Sequence, residues 1–195
     1  MKLGGSVSFK LVVPLMFIIL GAIASFLATF YFLSKDMTEI KSRERARELA
    51  EIVASSIERS ATRLSIFGII DSLGSYEDIE EIYLVDVATQ KIITANKHQF
   101  KDSLIPDLAV NTRKGELVTA INSKKNQFII LTDGNFSYSY HFSLVSLDKR
   151  AINKVVLYIV LNSRVIDKSL TPFFNYLLLL ILVILAITAI LFFMM

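Results

Sequence analysis

A chain of 195 residues is long enough for one ordinary domain, but an apolar fraction of 53 % and a mean hydropathy of +0.54 exclude a wholly water-soluble one. The net charge of +3 comes from 21 basic and 18 acidic side chains with no clustered basic run, which argues against a nucleic-acid binder. There is no cysteine, so disulfides, thiolate metal sites and thiol nucleophiles are excluded.

The apolar excess sits at the two ends. Residues 11–33 and 173–195 carry no charged side chain, and each stretch of 23 residues reaches across a hydrocarbon core of about 30 Å at about 1.5 Å per residue. Two transmembrane helices are therefore predicted, with a short tail at 1–10 and an outer domain at 34–172. A cleaved signal peptide is the competing reading of the first stretch, since Ala22-Ile23-Ala24 has the small-x-small form of a cleavage site. The apolar run continues past Ala24, which favours an uncleaved anchor.

Lys2 and Lys10 are the only charged residues outside 34–172 and precede the first span, which predicts both termini in the cytoplasm and the middle outside. Phe30, Tyr31 and Phe32 at the end of one span and Phe173, Phe174 and Tyr176 at the start of the other suit one shared outer interface. The expected location is an inner (plasma) membrane, crossed twice.

Beyond the first span, residues 35–63 are rich in Glu, Arg, Lys and Ala without Gly or Pro, so a helix continuous with the membrane segment is predicted, extending to about residue 70. Ala46, Ala50, Val53, Ile57, Ser60, Leu64 and Phe67 recur at alternating spacings of four and three, a heptad-like seam. Such a seam either packs on the chain's own domain or pairs two copies through Ala46, Ala50, Val53, Ile57 and Leu64. Gly68, Gly74 and the polar residues 72–78 are expected to break the helix.

Residues 82–96, IYLVDVATQKIITAN, read as a β-hairpin whose first strand is apolar on both faces. A polar loop at 97–103 and an irregular or short helical crossing at 104–110, with Pro106, follow. Residues 116–122 fit a strand and a helix equally. Residues 128–132 read as a strand, Asp133-Gly134-Asn135 as a hairpin turn, and 136–145 as its partner with one buried and one wet face. After a turn at 148–150, the all-apolar 155–161 reads as a central strand. Asn162-Ser163 is expected to cap a short helix to Leu170, and Thr171-Pro172 to start the second span.

The stretches EEIYLVDVATQKIITAN, SYSYHFSL and VVLYIVLNSRVIDKSL, in this order after a long helix, resemble the single Cache, or extracellular PAS-like, sensor domains of bacterial histidine kinases, chemoreceptors and diguanylate cyclases. The resemblance covers residues 35–170 and implies an α+β fold, a PAS-like antiparallel sheet with a long N-terminal helix, flanked by two transmembrane helices. It implies a sensor that binds an outer small molecule or partner and transmits a shift through the second span. A two-span scaffold whose outer domain binds another protein is the alternative.

Where family members carry Gly, in the first hairpin turn and before the last strand, this chain has Gln90 and Asn153. The di- and tricarboxylate-binding members place Arg and His where Ile93 and Asn96 stand here, and the amino-acid-binding pattern uses a Trp that this chain lacks.

No phosphate loop, Ser-His-Asp arrangement, zinc signature or complete calcium loop is visible, so neither enzymatic chemistry nor a cofactor or metal is expected. The candidate ligand contacts are polar or aromatic residues on the strands and rim loops: Tyr83, Asn96, His98, Lys101, Arg113, Tyr140 and Tyr158. His141 is expected on a wet strand face, as a surface or rim residue.

Overall fold

The computed structural model describes residues 7–59, 63–109, 113–145 and 152–194. Lys2, Ser60 and the expected turn at 148–150 lie outside them, as do the side chains of Phe173 and Phe174. The chain divides into two compact units, Ile40–Lys168, and Met1–Glu39 with Ser169–Met195.

The helices are α1 (Val7–Glu58), α2 (Arg63–Leu73), α3 (Lys114–Ser123) and α4 (Ser163–Met194), and the strands are β1 (Ile79–Asp86), β2 (Lys91–Ala95), β3 (Gln127–Ile130), β4 (Phe136–Val145) and β5 (Ile152–Leu161). The strands form one antiparallel sheet in the order β2-β1-β5-β4-β3. The class is α+β with a long N-terminal helix, as expected.

Alternation along the strands divides the core into two layers. Ile82 and Leu84 of β1, Tyr138 of β4 and Leu157 and Ile159 of β5 face α1 and α2, where Val53, Ile57, Ile66 and Ile70 cover them. Tyr83 and Val85, with Val156, Tyr158 and Val160, face α3 and its Leu117, Ala120 and Ile121. Residues from Val155 to Leu161 are buried throughout, because this central strand is covered on both faces.

Ala46, Ala50, Val53 and Ile57 are buried in the chain's own core, whereas Leu64 is 81 % exposed. Four of the five residues expected at a dimer seam are thus already covered by the sheet. The long helix expected to about residue 70 is divided, with α1 ending at Glu58 and α2 starting at Arg63. Gly68 lies inside α2; its cost of about 1 kcal/mol is less than the gain from burying Ile66 and Ile70 on the same helix. Gly74 takes the next turn, where a Cβ would lie 2.4 Å from the Asn96 Cβ.

Residues 114–123 are helical. Ser137 and Ser139 are buried, so β4 has no wet face over its first half. The small serines let α3 pack close to the sheet. The short helix expected to Leu170 and the stretch expected to be a second span are one continuous α4, with Pro172 inside it. That proline forfeits a single bond, to the carbonyl four residues earlier, and no glycine weakens the turns before it.

The β1–β2 turn is built by Asp86, whose Oδ1 accepts from the Ala88 and Thr89 backbone N–H groups at 2.9 and 3.1 Å. Gln90 closes it with φ +54°, the left-handed region. Gln90→Gly is expected to raise stability by about 0.5–1 kcal/mol, the left-handed penalty less the added chain entropy. Urea unfolding followed by tyrosine fluorescence measures it, and a loss would show that the glutamine side chain itself contributes.

Among the described residues one helix, from Phe17 onward in α1, is long and apolar enough to cross a membrane.

Candidate functional site

Glu81, Tyr83 and Val85 share the α3-facing side of β1, so the strand aims a carboxylate and a phenol beside the N-terminal end of α3. Glu81 is only 7 % exposed. A buried carboxylate needs cations and donors around it. It accepts a hydrogen bond from the Tyr83 hydroxyl at 2.8 Å and another from Lys97, and Arg113 lies 3.7 Å away.

Arg113, immediately before α3, is the hub. Its guanidinium donates to Asp133 Oδ2 at 2.7 Å and lies 3.6 Å from both Glu80 and Glu116. Burial opposes its charge, but Asp133, Glu81 and Glu116 outweigh burial and hold its pKa above the ordinary value. Burial likewise works against the Asp133 carboxylate, yet the Asn135 backbone N–H and Arg113 keep it below the usual range. Burial and then Glu81 raise the Tyr83 pKa, so this phenol remains a donor at all ordinary pH.

These groups line an open cavity of about 400 Å³, walled further by Gln99 and Phe100. The Tyr83 ring lies 5.9 Å from Phe100 and 6.3 Å from Tyr158. The Tyr158 hydroxyl is fully buried and makes no hydrogen bond of ordinary geometry. Burial pushes its pKa up to about 12, against the opposing influence of the neighbouring Ser137 hydroxyl.

Of the seven candidates from sequence, Tyr83 and Arg113 line the cavity and Tyr158 packs behind Tyr83. Asn96 is a clamp. Its Oδ1 accepts the Ile82 N–H at 3.0 Å and its Nδ2 donates to the Glu80 carbonyl at 3.3 Å. The exposed His98 lies 3.4 Å from Asp71, and Lys101 stacks its ammonium 3.7 Å from the Phe67 ring centre. Both turn toward α2, because a single 3-10 turn at His98–Phe100 sends neighbouring side chains in different directions. Tyr140 lies on the opposite sheet face, beside Phe142, as strand parity requires. His141 is half-buried, 3.5 Å from the Ser123 hydroxyl, and burial lowers its pKa.

Glu80, Glu81, Lys97, Gln99, Phe100, Glu116 and Asp133 were not among the candidates. The one available signal was parity. Glu81 stands two residues before Tyr83 on a strand with two apolar faces, and so had to be buried and paired.

Asn135 ties this cavity to α4. Its Nδ2 donates to Asp133 Oδ2 at 3.3 Å and to Glu80, while its Oδ1 accepts the Ser163 N–H at 3.2 Å. Ser163 is the first residue of α4. Asn162 caps the same end, accepting the Arg164 N–H at 3.0 Å.

No family model matches the chain. No curated protein matches it either. Among solved structures it is similar to an extracellular ligand binding receptor from Desulfohalobium retbaense DSM5692, at 11 % identity and a TM-score of 0.36, over 68 % of this chain and 26 % of that one. The chain thus spans about a quarter of the length of the receptor it matches.

Proposed function

We propose that this chain is the sensor region of a membrane-bound receptor of the single Cache, PAS-like type. Residues 11–33 and 173–195 cross the membrane, both termini are cytoplasmic, and the 34–172 domain lies outside. The domain binds a small molecule and passes a shift to the second span; no catalytic step is assigned to it. The observation that carries this reading is the Asn135 bridge. One amide side chain touches two cavity carboxylates and the first backbone N–H of α4. A ligand that displaces Glu80 or Asp133 must either move α4 or break that bridge.

The element order supports the same reading: long helix, hairpin, crossing segment with α3, antiparallel strands, then an exit helix separated from β5 by Asn162 alone. Pairing of two chains belongs to the proposal through the apolar helices and the exposed Leu64, because Ala46, Ala50, Val53 and Ile57 are in the core.

The test uses the absence of cysteine. A single Lys168→Cys substitution at an exposed position of α4 gives a unique label site in the full chain, reconstituted in lipid nanodiscs. A metabolite panel is then read both by melting temperature and by label spectrum. A metabolite that raises the melting temperature is expected also to shift the label, and Asn135→Ala is expected to abolish the label shift while stabilisation persists. A label that never responds, with stabilisation only by a membrane protein partner, would favour the scaffold alternative.

A further inference from the structure

The two edges of the sheet differ. The outer edge of β2 is closed by the loop that follows it, since Ile92 donates to the Ser103 carbonyl and accepts the Asp102 N–H, both at 2.9 Å, and Ile105 donates to the Gln90 carbonyl at 3.0 Å. The outer edge of β3 has no such cover among the described residues. Leu131 turns both of its backbone groups toward the β4 side, donating to the Asn135 carbonyl and accepting the Gly134 N–H. By alternation Gln127 and Ile129 also face β4, so the N–H and C=O groups of Phe128 and Ile130 point away from the sheet and bond to no described residue. Sheet edges are commonly blunted by proline, a bulge or a charge within the strand. β3 is short, but Gln127–Ile130 carries none of these, and Ile130 is 51 % exposed.

A groove of about 490 Å³ lies beside this edge. Ile40, Arg43, Glu44 and Arg47 line it from α1 at helical spacing, and Phe128 and Tyr138 line it from the sheet. Ile40 is 53 % exposed, and the Arg43 guanidinium lies 5.1 Å from the centre of the Phe128 ring. A strand added to β3 would direct every second side chain toward this groove. The surroundings are basic. Arg43 and Arg47 in the groove and Lys124 and Lys125 just before β3 are exposed, against Glu44 and the Glu51 that lies 3.7 Å from Arg47. A guanidinium offers a carboxylate a fixed pair of donors, and the exposed Ile40 suits a branched apolar side chain.

A second copy fits this edge poorly. Ala46, Ala50, Val53 and Ile57 hold about three turns of α1 along the sheet. Antiparallel pairing of two β3 edges would therefore run the two α1 helices in opposite directions, which does not suit two chains anchored in one membrane through residues 11–33. That exclusion rests on the membrane reading proposed above.

We infer that the β3 edge is a docking site for an extended acidic segment of a protein partner. The segment adds a strand bonded to the backbone of Phe128 and Ile130, directs carboxylates to Arg43 and Arg47, and sets an apolar side chain against Ile40 and Phe128. No residue lines both this groove and the cavity around Arg113, so the inference goes beyond the sensor reading and needs no ligand in that cavity.

The full chain in lipid nanodiscs is titrated with short peptides of alternating glutamate and valine, of alternating lysine and valine, and of the glutamate-valine sequence N-methylated at every second residue. Binding is read by anisotropy of the labelled peptide and by amide exchange at Phe128 and Ile130. The plain acidic peptide is expected to bind, with affinity falling as sodium chloride is raised, and to slow exchange of both amides by about tenfold or more. Arg43→Gln and Arg47→Gln, both at exposed positions, should each weaken it about tenfold, the loss of one charge-assisted contact. Ile130→Pro removes an outward N–H that β4 does not use, so the melting temperature should hold while binding is lost. Should that variant unfold, the arginine variants and the N-methylated peptide decide the question.

Equal binding of the lysine peptide or of the N-methylated peptide would be surface attraction without strand addition and would overturn the inference. Absence of binding by all the peptides would overturn it too. Protection of Phe128 and Ile130 that is present without peptide and rises with the number of chains per disc would assign the edge to a second copy instead.

Discussion

Ile57→Ala is expected to lower the stability of the sheet domain by about 2–5 kcal/mol, the cost of a large side chain removed from a packed core. Ile57 is fully buried at the end of α1, in the layer that holds Val53, Ile70, Leu84 and Leu157. Leu64→Ala, at an exposed position of the same heptad-like series, is expected to change stability by no more than about 0.5 kcal/mol. Urea unfolding of the full chain at two protein concentrations checks both. If the seam serves the chain's own core, the Ile57→Ala loss is the same at both concentrations. A loss that grows on dilution would instead place Ile57 in contact with a second copy.

This contrast shows why a heptad series alone did not decide its partner. Spacings of four and three specify which residues share a helix face, and say nothing of what covers that face. The strands were easier to read. Alternating Tyr138, Tyr140, Phe142 and Leu144 gave β4 with its bounds, the all-apolar run to Leu161 gave β5, and Asp133-Gly134-Asn135 gave the turn, where Gly134 adopts φ +84°. Residues 116–122 were ambiguous for a physical reason. Val118, Thr119 and Ile121 favour a strand, while Leu117, Ala120 and Ile121 lie at helical spacing, and the α3-facing side of the sheet settles the competition by burying the second set.

The site was less readable than the fold because half of it is loop. Tyr83 follows from strand parity, but no periodicity fixes which way residues 97–101 point. Lys97, Gln99 and Phe100 reach the cavity, and the more conspicuous His98 and Lys101 do not. Arg113 was legible as a charged residue beside a turn. Its role as the common partner of four carboxylates depends on β1, α3 and the β3–β4 turn meeting at one place, which only the tertiary structure provides.

That convergence sets the second large effect, expected for Arg113→Met. The methionine keeps most of the volume and removes the charge, which leaves Glu81 buried with only Lys97 and Tyr83, and brings the Glu80, Glu116 and Asp133 carboxylates together uncompensated. Removing one partner of a fully buried pair costs about 3–5 kcal/mol, and because Asp133, Glu80 and Glu116 retain access to water the expected loss here is about 2–3 kcal/mol.

A double-mutant cycle separates the causes. Glu81→Gln in the Arg113→Met background removes the stranded charge, so it should recover part of the loss, whereas Glu81→Gln alone, with Arg113 still present, should destabilise. Urea midpoints for the four proteins measure the coupling. Additive losses would mean that Arg113 stabilises the domain through Asp133, Glu80 and Glu116 without Glu81, and the Glu81 carboxylate would then owe its burial to Lys97 and Tyr83.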